Sequence, residues 1–145
     1  MPLMEVAPRE GVSGVRLKVA RGDYSFAVDG GAISTIALMG GTLIPSGAIV
    51  LGGYIEITTS CTSGGSATIA VQVEGAGDIC ATTAVASWAA GRYNVLPAFS
   101  TTGSLSATTT VKTTAARDIS IVIATATLTA GVFKVVLFYH DPQTP

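Results

Sequence analysis

Apolar and polar residues alternate with a period of two along most of this chain. In "VRLKVA", Val15, Leu17 and Val19 alternate with Arg16 and Lys18. That pattern predicts a strand with its aliphatic side chains inward and its cations in solvent. "DYSFAV" continues the pattern with Tyr24, Phe26 and Val28 on one side. Gly30 and Gly31, after Asp29, supply a turn, and "AISTIALM" reads as a further strand closed by Gly40 and Gly41. Ile44-Pro45-Ser46-Gly47 is turn chemistry again, because Pro presets φ and Gly permits a positive φ. "AIVLGGYIEITTS" then predicts one long strand, interrupted by Gly52 and Gly53. Paired glycines inside a strand mark a bulge, a bend, or the close approach of another backbone. Beyond them Ile55 and Ile57 share one face, and Tyr54, Glu56 and Thr58 the other.

"TSGGSATIAVQVEG" predicts a Gly-Gly turn and a strand with Ile69, Val71 and Val73 inward. "DICATTAV", "RYNVLPAF", "SATTTVKT", "DISIVIAT" and "VFKVVLFYH" complete the strands. Helix signals are nearly absent, and the best of them, "TAVASWAAG", is a short Ala-rich turn. Brief strands separated by regular turn signals predict an all-β sandwich or barrel, and of these the expectation is an antiparallel β-sandwich of about 8–10 short strands, jelly-roll-like although spacing does not fix strand order. Residues 1–13 hold Pro2, Pro8, Glu5, Arg9 and Glu10 without a sustained period, which predicts an extended N-terminal arm. The sandwich would occupy residues 14–141, and residues 142–145 a short tail. One internal echo stands out: "WAAGRYNV" (88–95) and "LTAGVFKV" (128–135) share Ala-Gly, an aromatic two residues on and a Val after that. It reads as two similar turns leading into equivalent strands, since the segments between do not align.

Composition sharpens the picture. A chain of 145 residues is one domain, able to bury roughly 70% of its unfolded surface. Charged residues make up only 12%, about half the usual share, and mean hydropathy is +0.56. Much of the exterior is therefore Thr, Ser and Gly, or is covered by another subunit. A net charge of −1 gives no electrostatic footprint for nucleic acid or an anionic membrane. The uncharged run from Gly30 to Ile55 is long enough to span a bilayer, but repeated glycines and Pro45 break it as a helix. Aromatic residues, at 6%, are too few for the girdles of a transmembrane barrel. The opening "MPLMEVAPREG" lacks the apolar core of a secretory signal.

Candidate chemistry is sparse. His140 is the one histidine, at the end of the last predicted strand, and no Gly-x-Ser-x-Gly elbow accompanies it. Cys61 and Cys80 read as small buried residues; their spacing leaves a single disulfide open. Asp23 and Asp29 flank one strand and read as turn-capping groups rather than calcium ligands. No His, Cys or carboxylate cluster has metal-ligand spacing, and no glycine pair is followed by the Lys-Ser/Thr of a phosphate loop. Trp88 reads as a core plug rather than a sugar-stacking platform. The expectation is a non-enzymatic protein without cofactor or metal.

The strings "IPSGAIVLGGYIEI", "TSGGSATIAVQVEG" and "KTTAARDISIVIATATLTAGVFKVVLFY" resemble small virion proteins encoded with the head genes of tailed bacteriophages. The resemblance covers about Ala27 to Tyr139. It implies a head decoration (cement) protein, trimeric on the capsid exterior, with the major capsid protein and further copies of itself as partners. On that reading Leu3, Val6, Pro8, Arg9 and Val12 of the arm are candidate contacts to capsid or subunit. Two other classes stay open at this stage: a phage tail or connector component, and a tail-fibre or receptor-binding β-module that recognises a host glycan.

Overall fold

Two antiparallel sheets face one another in the computed structural model, which describes residues 17–95 and 111–141. The arm with Leu3, Val6, Pro8, Arg9 and Val12, and the tail, lie outside the described residues. In chain order the elements are β1 (Leu17–Ser25), a single helical turn α1 (Phe26–Asp29), β2 (Ser34–Ala37), β3 (Ile49–Ser63), β4 (Thr68–Gln72), β5 (Cys80–Ala84), β6 (Gly91–Val95), β7 (Val111–Lys112), β8 (Ser120–Ala124) and β9 (Leu128–His140). A 3₁₀ turn at Val85–Ser87 is all that forms from the Ala-rich helix candidate. The first sheet runs β1-β9-β3-β6, with β7 paired to the start of β3, and the second runs β2-β8-β4-β5. The predicted all-β sandwich is the observed fold.

Alternation builds the interior. Ile55 and Ile57 on β3 and Phe133, Val135, Leu137 and Tyr139 on β9 point into the sandwich. They meet Ile69 and Val71 on β4 and Ile121 and Ile123 on β8, all essentially buried. Each such side chain contributes about 1.5–3 kcal/mol on leaving water. The glycine pair in β3 performs two of the expected tasks. Phe138 pairs with Gly52 and Tyr139 with Val50, so Leu51 is the extra residue of a bulge. A Cβ on Gly53 would lie 2.0 Å from the Val136 carbonyl oxygen, so only glycine lets β9 approach. The internal echo holds only in part: its strands β6 and β9 flank β3, but residues 128–131, expected as a turn, already belong to β9.

Two expectations are corrected. On β1 the phase is inverted: Ala20, Gly22 and Tyr24 face inward, whereas Leu17 and Val19 are 58% and 59% exposed. Space decides this. A Cβ on Gly22 would be 2.7 Å from the Leu38 Cβ, so the inner face beneath that crossing must be small. Lys18, on the same side as Ala20, reaches buried Asp141 at 3.5 Å and is satisfied at the sandwich rim. The second correction concerns "DYSFAV": after Ser25 the chain leaves the sheet. The Ser25 N–H donates to Asp29 and the Tyr24 hydroxyl to the Gly30 carbonyl, which closes a helical turn. Val28 is consequently 84% exposed instead of facing inward with Tyr24.

Carboxylates and one threonine tie the loops to the sheets. Asp78 accepts the N–H groups of Val73, Glu74 and Gly75, and Asp118 accepts those of Leu38 and Met39. Thr113, buried, donates to the Pro45 carbonyl and accepts from the Ala48 N–H, fastening the turn that starts β3. Glu74 receives two hydrogen bonds from Arg117 at 2.8 and 3.0 Å and a third from the Thr114 hydroxyl. Those bonds hold the Glu74 carboxyl down to about pKa 2.

Candidate assembly surface

The outer face of the first sheet carries the most organised chemistry. Register places Asp23 beside Lys134, Lys134 beside Glu56, and Glu56 beside Arg92. One row of alternating charge thus crosses β1, β9, β3 and β6. Glu56 binds Lys134 at 2.7 Å and Arg92 at 3.0 Å, and Arg21 binds Asp23 at 2.9 Å. Both cations hydrogen-bond to Glu56 and lower its pKa, Lys134 more than Arg92. The next two rows towards the end of β9 carry the apolar groups of this face, with Arg21 and Asn94 at the flanks of the nearer one. Val136 lies between Arg21 and Tyr54, and Phe138 between Val19 and Gly52. The Tyr54 and Phe138 rings pack with centroids 6.4 Å apart. This face is therefore half ion-paired ladder and half apolar patch, the latter extended at its edge by exposed Leu17 and Val19.

The second sheet presents the opposite character. None of its four strands, STIA, SIVIA, TIAVQ and CATTA, contains a charged residue. Its outer surface is built from short side chains such as Thr35, Ser120 and Ala124. Surfaces of that kind allow close flat contact without the desolvation cost of a charge.

The groups that could carry chemistry are dispersed or enclosed. Trp88 is buried as predicted, donating from Nε1 to the Thr83 hydroxyl at 2.8 Å and packing on Phe133. Tyr24 and Tyr139 are also buried, which leaves Tyr93 and Tyr54 as the tyrosines that reach the surface. No sugar-stacking platform comes from Trp88. Cys61 and Cys80 are free thiols, so no disulfide joins them. Burial raises the Cys61 pKa to about 11 and pushes the Tyr24 hydroxyl up to about 12, assisted there by Cys61 and Asp29. Asp29 caps the α1 turn as expected, whereas Asp23, also expected to cap a turn, lies within β1 and pairs with Arg21. Among the described residues no three His, Cys, Asp or Glu side chains converge, and no helix is long and apolar enough to cross a membrane. An apolar hollow of about 180 Å³ opens beside β6, lined by Ile55, Ile57, Trp88 and Val95.

No family model and no curated protein matches the chain. Solved structures do. A chain of the capsid asymmetric unit of cyanophage Pam1 superposes with a TM-score of 0.60 at 20% identity, covering 89% of this chain and 87% of that one. A chain in the capsid of Ralstonia phage GP4 gives 0.59 at 16% identity, covering 89% and 86%. One in the acid-stable capsid of Helicobacter pylori bacteriophage KHP30 gives 0.57 at 13% identity, covering 89% and 90%. The likeness at these identities is one of fold, and the matched chains are of nearly the same length as this one.

Proposed function

We propose that this chain is a non-enzymatic structural protein of a bacteriophage virion that binds the outside of the capsid and cements the shell, as a homotrimer. The observation that carries the reading is the fold likeness, over 89% of this chain, to similarly small chains of three capsids. Surface chemistry supports it. An uncharged outer sheet, a patch of exposed aliphatics and few charges suit a molecule that buries area against neighbours. The strand order supports reading the sandwich as a jelly roll, since each sheet interleaves strands from both halves of the chain. Cementing needs no active site. Binding the assembled lattice in preference to its separated parts stabilises the lattice by mass action. The major capsid protein is the partner, and residues 1–13, with Leu3, Val6, Pro8, Arg9 and Val12, are the arm that reaches it or the adjacent subunit.

Co-sedimentation of the purified protein with undecorated heads of its own phage tests the proposal. Saturable binding, with copies matching the threefold and quasi-threefold positions of the lattice, is the expected result. Absence of binding to expanded heads would overturn it.

A further inference from the structure

The geometry points to a specific interface on the outer face of the first sheet: a second copy of this chain, docked face to face about a twofold axis running along the strands. This inference stands on the pattern of that face alone and does not rest on the capsid reading.

The argument is one of self-complementarity. Across β1, β9, β3 and β6 the charged row reads Asp23, Lys134, Glu56, Arg92, that is minus, plus, minus, plus. A twofold axis along the strands, centred between β9 and β3, reverses the order of strands in the facing copy and keeps the position along them. Asp23 then stands over Arg92 of the other copy, and Lys134 over its Glu56. Every charge of the row meets its opposite. A row with the same sign at both ends would meet itself in repulsion under this operation.

The same operation matches shapes in the apolar half. Phe138 of one copy stands over Gly52 of the other, so a ring meets a position with no side chain. Tyr54 stands over Val136, and Arg21 over Asn94. Sheets stack about 10 Å apart, which leaves room for side chains from both faces to interdigitate. Aromatic and aliphatic groups would form the dry part of the contact, and the charged row, which crosses the middle of β9 and β3, its polar part. An interface of this twofold kind is isologous and closes on itself. In a trimeric protein it would join copies from adjacent trimers.

The row can be recoded without touching the core, because the Arg92 and Asp23 side chains are 79% and 60% exposed. Arg92→Asp makes the row minus, plus, minus, minus; Asp23→Arg makes it plus, plus, minus, plus. Each variant opposes itself, yet each fully complements the other. The experiment is sedimentation velocity on the full-length protein, with each variant alone and with the two in equimolar mixture. Each variant alone should self-associate about tenfold or more weakly than the unmodified chain. The mixture should recover association, and more so at low salt. Equal thermal midpoints for the three proteins confirm that folding is untouched. Variants that associate like the unmodified chain, or a mixture no tighter than its components, would overturn the interface. An unmodified chain that shows no association dependent on this row would do the same.

Discussion

Phe133 is where the sandwich is most sensitive to a single change. It lies at 2% exposure on β9, with the Tyr24 ring of β1 at a centroid distance of 4.8 Å and Trp88 at 5.1 Å. Those neighbours come from the edge strand and from the β5–β6 connection, so the ring joins three parts of the chain. Phe133→Ala removes the buried ring and leaves a cavity, together about 3–5 kcal/mol. Each lost aromatic pair adds roughly 0.5–1.5 kcal/mol to the burial component of that figure, placing this site towards its upper end. A domain of this length unfolds with about 0.3 kcal/mol per kelvin of entropy near its midpoint, so a loss of ~4 kcal/mol lowers Tm by about 13 °C. Phe133→Leu, which keeps most of the volume, should cost about 1.5 kcal/mol or less. Urea unfolding followed by tryptophan fluorescence reads both, at one fixed protein concentration because association would shift the midpoint. A Phe133→Ala loss under about 1 kcal/mol would refute the reasoning, as would equal losses for Ala and Leu.

Gly53→Ala should destabilise by about 2 kcal/mol or more, since its Cβ would press on the Val136 carbonyl and the Leu137 Cα. Gly64→Ala, where nothing lies within 4 Å, should be neutral or slightly stabilising in the same urea titration. The Glu74 carboxyl is held below its unfolded pKa, so its contribution is fully present above the unfolded value of about 4.5 and is lost as pH falls towards about 2. Glu74→Gln should therefore flatten the acid limb of a stability–pH curve in that window, and an unchanged limb would argue against the Arg117 clamp. Deleting residues 1–12 should weaken binding to heads while circular dichroism retains the β signature; unchanged affinity would remove the arm from the interface. Cys80 should react with a thiol reagent before Cys61, whose thiol is buried and whose pKa is raised further, and simultaneous labelling would contradict the described burial.

What the sequence disclosed and what it withheld divide along a physical line. β3, β4, β8 and β9 were legible because each carries large apolar residues at alternate inward positions, as in Ile55 and Ile57 or Ile121 and Ile123, between clear turn signals. The glycine pair at 52 and 53 announced a bulge and a close approach, and both are present. β1 misled because its inward set is small. Gly22 sits beneath Leu38, and no local pattern foretells a crossing chain from another part of the sequence. Val28 misled for a related reason, since the Asp29 carboxylate turns the backbone out of the sheet before the alternation reaches it. The charged row was invisible in principle. Asp23, Glu56, Arg92 and Lys134 are scattered along the chain, and only strand register assembles them. Glu56, the single charge in residues 44–60, is the one local sign of that row.

The most direct test of the structural role is a pair of cryo-electron microscopy reconstructions, of undecorated heads alone and after saturation with this protein. The account predicts added density outside the shell at threefold and quasi-threefold positions, in groups of three, into which the two-sheet sandwich fits. Density confined to the tail or the portal, or no added density at saturating concentration, would contradict it.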